Sequence, residues 1–277
     1  MAIFALAAAG LNLLVGRLGL VSLGHAAFFG LGAYAAALTG IHGTAAGGLT
    51  LAAGVAAAVC FAALTAPFVL RSHGIFFLML TLAFSQMLHA AAQQWIDVTG
   101  GSNGLAGVPP LEGPLGLHQP GPFYGFSLLI LGLVLWLLRR LEHAPFGKVL
   151  EAIHHGEDRA RALGYPAFWY KFWAFLLSGA ATGLAGALHA HHTAFVSPQH
   201  FHWATSGALL VMVLLGGRGV LWGSALGAAV YIGFEAWVSS WTELWHLAVG
   251  LLLIGVVLGS RKGLWGLVER GWIRSHG

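Results

Sequence analysis

Polar and Gly/Pro-bearing intervals cut the chain into apolar runs at about 2–15, 22–39, 47–70, 74–92, 123–138, 172–193, 204–216, 219–238 and 244–259. Within each run the apolar residues are continuous, without the period-two alternation of a membrane β-strand, so a β-barrel is excluded. They read as helices apolar on every side. At 1.5 Å per residue, most can cross a hydrocarbon core about 30 Å thick. The pattern predicts an all-α fold: a polytopic transmembrane helix bundle of about eight to ten spans, in a single domain over 1–277. Run 204–216 is short, so it either spans or re-enters, and a re-entrant backbone needs protein or water around it. The first run holds only about 14 residues against the roughly 20 needed to span. No basic residue precedes it, so it reads as an uncleaved membrane segment and not as a signal peptide. Either this helix is short and tilted or the natural start lies upstream.

Charge sharpens the topology. If the runs alternate sides, one set of loops carries Arg17, Arg71, Arg139, Arg140, Lys148, Arg159, Arg161, Lys171, Arg218, Arg261, Lys262, Arg270 and Arg274, which is every Lys and Arg in the chain. The opposite loops, near 40–46, 93–122, 194–203 and 239–243, carry none. The positive-inside rule predicts a plasma (inner) membrane protein with the first set, and the C-terminus, in the cytoplasm. Composition agrees: 58% of residues are hydrophobic and 8% charged, with mean hydropathy +0.79. Soluble domains carry about 25% charged residues, so a soluble protein is excluded. The net charge of +4 comes from dispersed cations that form no basic tract, so nucleic acid is not an expected partner. The single cysteine, Cys60, can make no internal disulfide.

Two loops are long enough to carry function. The outer one, 95–122, is rich in Gly and Pro and holds Thr99, Gly100, Gly101, Ser102, Asn103 and Gly104. The inner one, 139–171, holds 10 of the 22 charged side chains, more than any other loop. Pro145 can open a helix there, Gly156 can interrupt it, and Gly164 with Pro166 can stop it. These signals predict two short amphipathic helices with Val149, Ile153, Ala160 and Leu163 on the apolar side.

Within the runs, Asn12, Ser22, His25, Ser85 and Gln86 are polar groups that need partners. Each either lines a polar path or bonds a neighbouring helix. Glu235 is a carboxylate three residues from the end of its run; it serves a pathway or reaches the interface beside Trp237. His189, His191 and His192 cluster near a helix end, but no carboxylate or cysteine completes a ligand set, so no metal is expected. Gly179-x3-Gly183, Gly223-x3-Gly227 and Gly255-x3-Gly259 predict close helix packing. No phosphate-binding G-x4-G-K-[ST] loop occurs, so any ATP that drives this chain is bound elsewhere.

Several stretches, in one order along the chain, carry a family likeness. They include Gly10-Leu-Asn-Leu-Leu-Val-Gly16, Ser22-Leu-Gly-His-Ala-Ala-Phe-Phe-Gly30 and Gly74-Ile-Phe-Phe-Leu-Met-Leu-Thr-Leu-Ala-Phe-Ser-Gln86. Thr99–Gly104, Pro145-Phe-Gly147, Glu157-Asp-Arg-Ala-Arg-Ala-Leu-Gly164, Ser178–Leu188 and Gly216-Gly-Arg-Gly219 follow. Together they resemble the LivM-type permease of branched-chain amino-acid ABC importers. The resemblance implies a non-catalytic subunit with no cofactor of its own, working by alternating access. Its implied partners are a LivH-like permease, two cytoplasmic ABC ATPase subunits (LivG/LivF-like), a periplasmic substrate-binding protein and the lipid bilayer. It makes 139–171 a coupling-helix loop that docks on an ATPase, with Gly147, Glu157, Arg159, Ala160, Arg161 and Gly164 as its matching residues. In such a permease the polar groups Asn12, Ser22, His25, Ser85 and Gln86 are candidates for lining the translocation path, and Thr99, Gly100, Gly101, Ser102 and Asn103, in a glycine-rich outer turn that exposes backbone donors, are candidates for touching the binding protein. His154-His155-Gly156 departs from the family pattern, which implies weaker or pH-sensitive docking. Rival readings are the same architecture carrying urea, short amides or aromatic acids, an ion-coupled secondary transporter, or a histidine-based metal or haem enzyme.

Overall fold

The computed structural model describes residues 1–43, 47–111, 118–241, 245–259 and 263–266. The expected cations Arg261, Lys262, Arg270 and Arg274 lie outside the described residues. Every apolar run becomes a helix. α1 (Ala2–Asn12) runs without a break into a π-helical turn, Leu13–Leu18, and is followed by α2 (His25–His42), α3 (Gly47–Val69) and α4 (Ile75–Gln94). A short α5 (Ile96–Thr99), a 3-10 turn (Gly101–Asn103) and β1 (Leu105–Ala106) precede α6 (Pro120–His143). Then come α7 (Pro145–His155), α8 (Glu157–Ala162), α9 (Ala167–Thr193), β2 (Phe195–Val196), a 3-10 turn (Pro198–Phe201), α10 (Trp203–Gly216), α11 (Leu221–Ser239) and α12 (Trp245–Gly259). β1 and β2 form an antiparallel ribbon with Leu105 opposite Val196. Helices α3, α4, α6, α9 and α11 are long and apolar enough to cross a membrane, and shorter apolar helices lie among the rest. The chain is a multi-pass membrane protein.

The first helix is not at the edge. Leu6, Ala7, Ala8, Ala9, Leu11 and Leu14 have no solvent exposure, because α6, α9, α10 and α11 pack around them. Around α9 the packing is closest. A Cβ on Gly32 would lie 2.0 Å from the Gly183 carbonyl, and one on Gly186 would lie 1.9 Å from the Phe29 carbonyl. Backbone thus meets backbone between α2 and α9, the contact that small residues permit in lipid, where no hydrophobic force draws helices together. The Gly223-x3-Gly227 pair works the same way against Gly216 and Met212 of α10. Gly255 does not: nothing among the described residues lies within 4 Å of its Cβ position.

The short run 204–216 forms one helix, α10 (Trp203–Gly216), and the segment before it packs inward. The Phe201 ring stacks on Tyr34 of α2, and its carbonyl accepts a 2.8 Å bond from Ser85 of α4. The 194–203 segment therefore dips into the bundle at Phe201, just before α10 begins. The fourteen residues of α10 are about 21 Å long.

The loops gather at two ends. Arg17, His73, Glu142, Glu151, Glu157 and Lys171 meet at one, together with Gly16 and Gly219. At the other, Pro109 sits on Gly40, Tyr34 bonds the Thr99 carbonyl, and Val108 bonds the Ala194 carbonyl. All Lys and Arg among the described residues belong to the first, cationic end.

Candidate functional site: a coupling elbow and a polar interior

Pro145 opens α7 with its fixed φ and missing N–H, as expected at a first helical position. The turn from α6 into α7 is tight enough that a Cβ on Gly147 would lie 2.2 Å from the Glu142 carbonyl. Gly156 separates α7 from α8, and Gly164, at φ +88°, ends the elbow in a conformation that favours glycine. Val149, Ile153 and Ala160 are buried as expected, but Leu163 is 78% exposed. α8 stops at Ala162 and the chain turns at Gly164, so Leu163 falls beyond the helix and points away from the bundle.

Ion pairs fasten this elbow. Glu157 accepts from Arg161 at 2.6 Å, from His73 at 3.2 Å and from the buried Lys171 of α9. Burial alone would raise the Glu157 pKa; the bond and charge of Lys171, then His73 and Arg161, outweigh it and hold the carboxyl below its ordinary value. On the other flank, Arg17 at the end of the π turn reaches Glu142 at 3.1 Å and Glu151 at 3.3 Å. The His154 ring rests where a Cβ on Gly19 would be. Of the residues matched to the coupling pattern, Gly147, Ala160 and Glu157 face inward. Arg159 and Arg161 are exposed, the former donating to the His155 carbonyl at the end of α7.

The interior candidates are separated into two groups. Asn12 is buried; its amide donates to the Val220 carbonyl at 2.8 Å and accepts from Gly219 N–H at 2.9 Å, pinning the 217–220 loop to α1. His25 sits between Ser22 Oγ at 3.1 Å and Ser178 Oγ at 2.7 Å, and Ser178 donates onward to the Gly10 carbonyl at 2.6 Å. Ser178 spends its proton on Gly10, so it accepts from His25 Nε2–H, which leaves Nδ1 to accept from Ser22. This knot joins α1, α2 and α9. The first turn of α2 lies in the bundle, and its N–H groups need partners that lipid cannot supply. Ser206 Oγ accepts from Ala26, Thr81 Oγ1 from Leu23 and Ser22 Oγ from Gly24. Asn12, Ser22, His25 and Ser85 therefore tie helices together. Gln86 is half-buried on α4, and no side-chain bond joins it to the described residues. Ser178, Thr81 and Ser206 belong to the same network and were missed in the sequence, where lone hydroxyls inside apolar runs carry no spacing signal.

At the opposite end, Thr99 is buried and bonds the Ala92 and Trp95 carbonyls. Gly100, Gly101 and Gly104 all have positive φ, and a Cβ on Gly104 would lie 2.2 Å from the Val196 carbonyl. The Gly-rich turn is thus a packed cap that leaves Ser102 and Asn103 exposed. A cavity of about 880 Å³ at this end is lined by Phe4, Phe29, Met212, His189, His200 and Glu235, among others. Met1 forms part of its wall. Among the described residues no group of three His, Cys, Asp or Glu is placed to hold a metal.

Comparison with known proteins places this architecture. The model of the family described as branched-chain amino acid transport system / permease component matches residues 1–258. The chain is 30% identical, over 92% of its length and 66% of theirs, to the high-affinity branched-chain amino acid transport system permease proteins LivM of Salmonella typhimurium and of Escherichia coli K12. It is 27% identical to the autoinducer 2 import system permease protein LsrC of Yersinia pestis, over 62% of this chain and 49% of that one. It spans about two thirds of the length of the LivM relatives. No solved structure matches. On the match over residues 1–258, the chain belongs to the permease-component family of branched-chain amino acid transport systems.

Proposed function

We propose that the chain is the non-catalytic membrane subunit of an ATP-binding cassette importer, carrying branched-chain or related apolar amino acids inward by alternating access. The observation that carries the reading is the α7–α8 elbow. It presents Arg159 and Arg161 at the cationic end, while Glu157 and Arg17 bind it to α9, α3–α4 and α1. A rigid protrusion tied to several spans can pass the closure of an external motor into the bundle, as a helix-to-helix shear. The positive-inside rule puts that end in the cytoplasm, where ATPases reside. We assign nucleotide binding to two partner ATPases, the other half of the path to a second permease, and substrate capture to a periplasmic protein that meets Ser102 and Asn103. The names of the LivM relatives support the amino-acid cargo. The likeness to LsrC favours a second reading in which the same architecture carries another small polar solute.

Purification in mild detergent tests the assembly: a second permease and two nucleotide-binding subunits should accompany the chain. The R159E/R161E double variant should still assemble into membranes but hydrolyse ATP without uptake. Uptake that persists in vesicles lacking ATP and the ATPases would overturn the reading.

A further inference from the structure

α4 carries an unusual surface for a membrane helix. Its inward side is fully used: Thr81 donates to Leu78 O and Ser85 to Phe201 O. Its outward side is a stripe at three- and four-residue spacing, Phe76, Met79, Ala83, Gln86 with Met87, and Ala90. Phe76, Met79 and Met87 are more than half exposed. Near the middle of this 20-residue helix stands Gln86, half-buried, with no hydrogen-bond partner among the described residues.

A second exposed face gives the contrast. On α6 the outward residues Leu128, Leu129, Leu133, Trp136 and Leu137 present an unbroken apolar surface, which lipid can cover at no cost. The amide of Gln86 cannot be so covered. An amide without partners is costly in an alkane-like medium, and nothing nearby among the described residues offsets it. Because Gln86 sits far from either helix end, the side chain cannot reach a headgroup as a terminal Lys or Arg does.

The geometry points to the Gln86 stripe of α4 as a wall of the water-filled translocation path, taking zwitterionic amino acids with apolar side chains. The amide offers two donors and a carbonyl acceptor to a passing carboxylate and ammonium. Met79 and Met87 supply a soft, deformable surface for the aliphatic part. Ala83 and Ala90 leave room between them. The first-turn network of α2 stands behind this wall through Thr81, which bonds Leu23 N–H. The inference rests on the transport reading above and narrows it to one helix face.

The test is thiol labelling in native membrane vesicles that contain the whole transporter, with Cys60→Ala as background. Gln86→Cys and Met79→Cys are each exposed to a charged, water-soluble methanethiosulfonate, with Leu133→Cys on α6 as the lipid-facing control. Only the thiolate reacts, and it forms in water and not in hydrocarbon, so both α4 variants should label at least about tenfold faster than Leu133→Cys. Leucine should slow the labelling of Gln86→Cys. Gln86→Leu should fold normally and lower uptake. Overturning results are an unreactive Gln86→Cys, whether lipid or a packed protein partner covers it, or a Gln86→Leu variant that is thermally stabilised with normal uptake. If Gln86→Cys is labelled and leucine protects it while uptake ignores ATP, the path stands and the ATP-driven reading falls.

Discussion

Glu157 shows how a single carboxylate can set the position of an entire loop. Three cationic or ionisable side chains converge on it, and one of them, Lys171, is 5% exposed. A buried ammonium is tolerable only while its counter-charge stays in place. Glu157→Ala should therefore destabilise the detergent-solubilised protein by about 3 kcal/mol, read as a lower thermal midpoint, because it strands Lys171. Glu157→Leu combined with Lys171→Met should recover most of that loss, since an apolar pair removes both desolvation penalties. A double variant as unstable as Glu157→Ala would show that Lys171 is not the partner that matters. Acidity makes the same point with a defined sign. The Glu157 pKa is lowered in the fold, so its stabilisation is complete above the ordinary value of 4.5 and is lost as pH falls through the lowered one. The stability gap between wild type and Glu157→Ala should accordingly be flat from neutral pH down to about 4.5 and close below it. Local spacing pairs Glu157 only with Arg161, four residues on; its other two partners, His73 and Lys171, lie on other elements and are invisible to that spacing.

Among the elements, α2, α3 and α9 form the tightest unit, and glycine governs it. Gly186→Ala would drive a methyl to 1.9 Å from the Phe29 carbonyl, and neither backbone can move without parting α2 from α9. The expected cost is about 3 kcal/mol or more, seen as aggregated protein in size-exclusion chromatography. Gly125→Ala on α6 meets open space and should be neutral or stabilising by about 0.5–1 kcal/mol, since alanine restricts the unfolded helix less expensively. Equal behaviour of the two variants would refute the close-approach account. The helices themselves were readable from the sequence, since continuous apolarity leaves a backbone in lipid few options. Which helix lies at the centre was not. α1 is as apolar as α6, and hydropathy does not distinguish burial in protein from burial in lipid. Gly-x3-Gly spacing has the same ambiguity: it marks contacts at 179–183 and 223–227, and at Gly255 it marks open space. The dip of 194–203 was equally hidden, because its partners, Tyr34 and Ser85, are remote in the chain.

At the scale of the molecule, the separation of two ends is the property from which direction of transport follows. Among the described residues, loops that alternate along the chain meet their own kind in space, so Arg17 finds Glu151 and Pro109 finds Gly40. The positive-inside rule predicts the orientation that leaves such cations on the cytoplasmic side, because moving them across the bilayer carries a large desolvation cost. In the proposed importer, a cytoplasmic motor would reach only the elbow, and a periplasmic binding protein only the cap. Impermeant maleimide separates the two in a Cys60→Ala background. Asp158→Cys, on the exposed face of the elbow, should react in inverted vesicles and not in right-side-out ones, while Asn103→Cys on the cap should do the reverse. Both residues are exposed, so failure to react reports the membrane and not packing. Labelling of Asp158→Cys from the outside would place the elbow beyond the reach of any cytoplasmic ATPase, and the transport cycle built on it would have no motor.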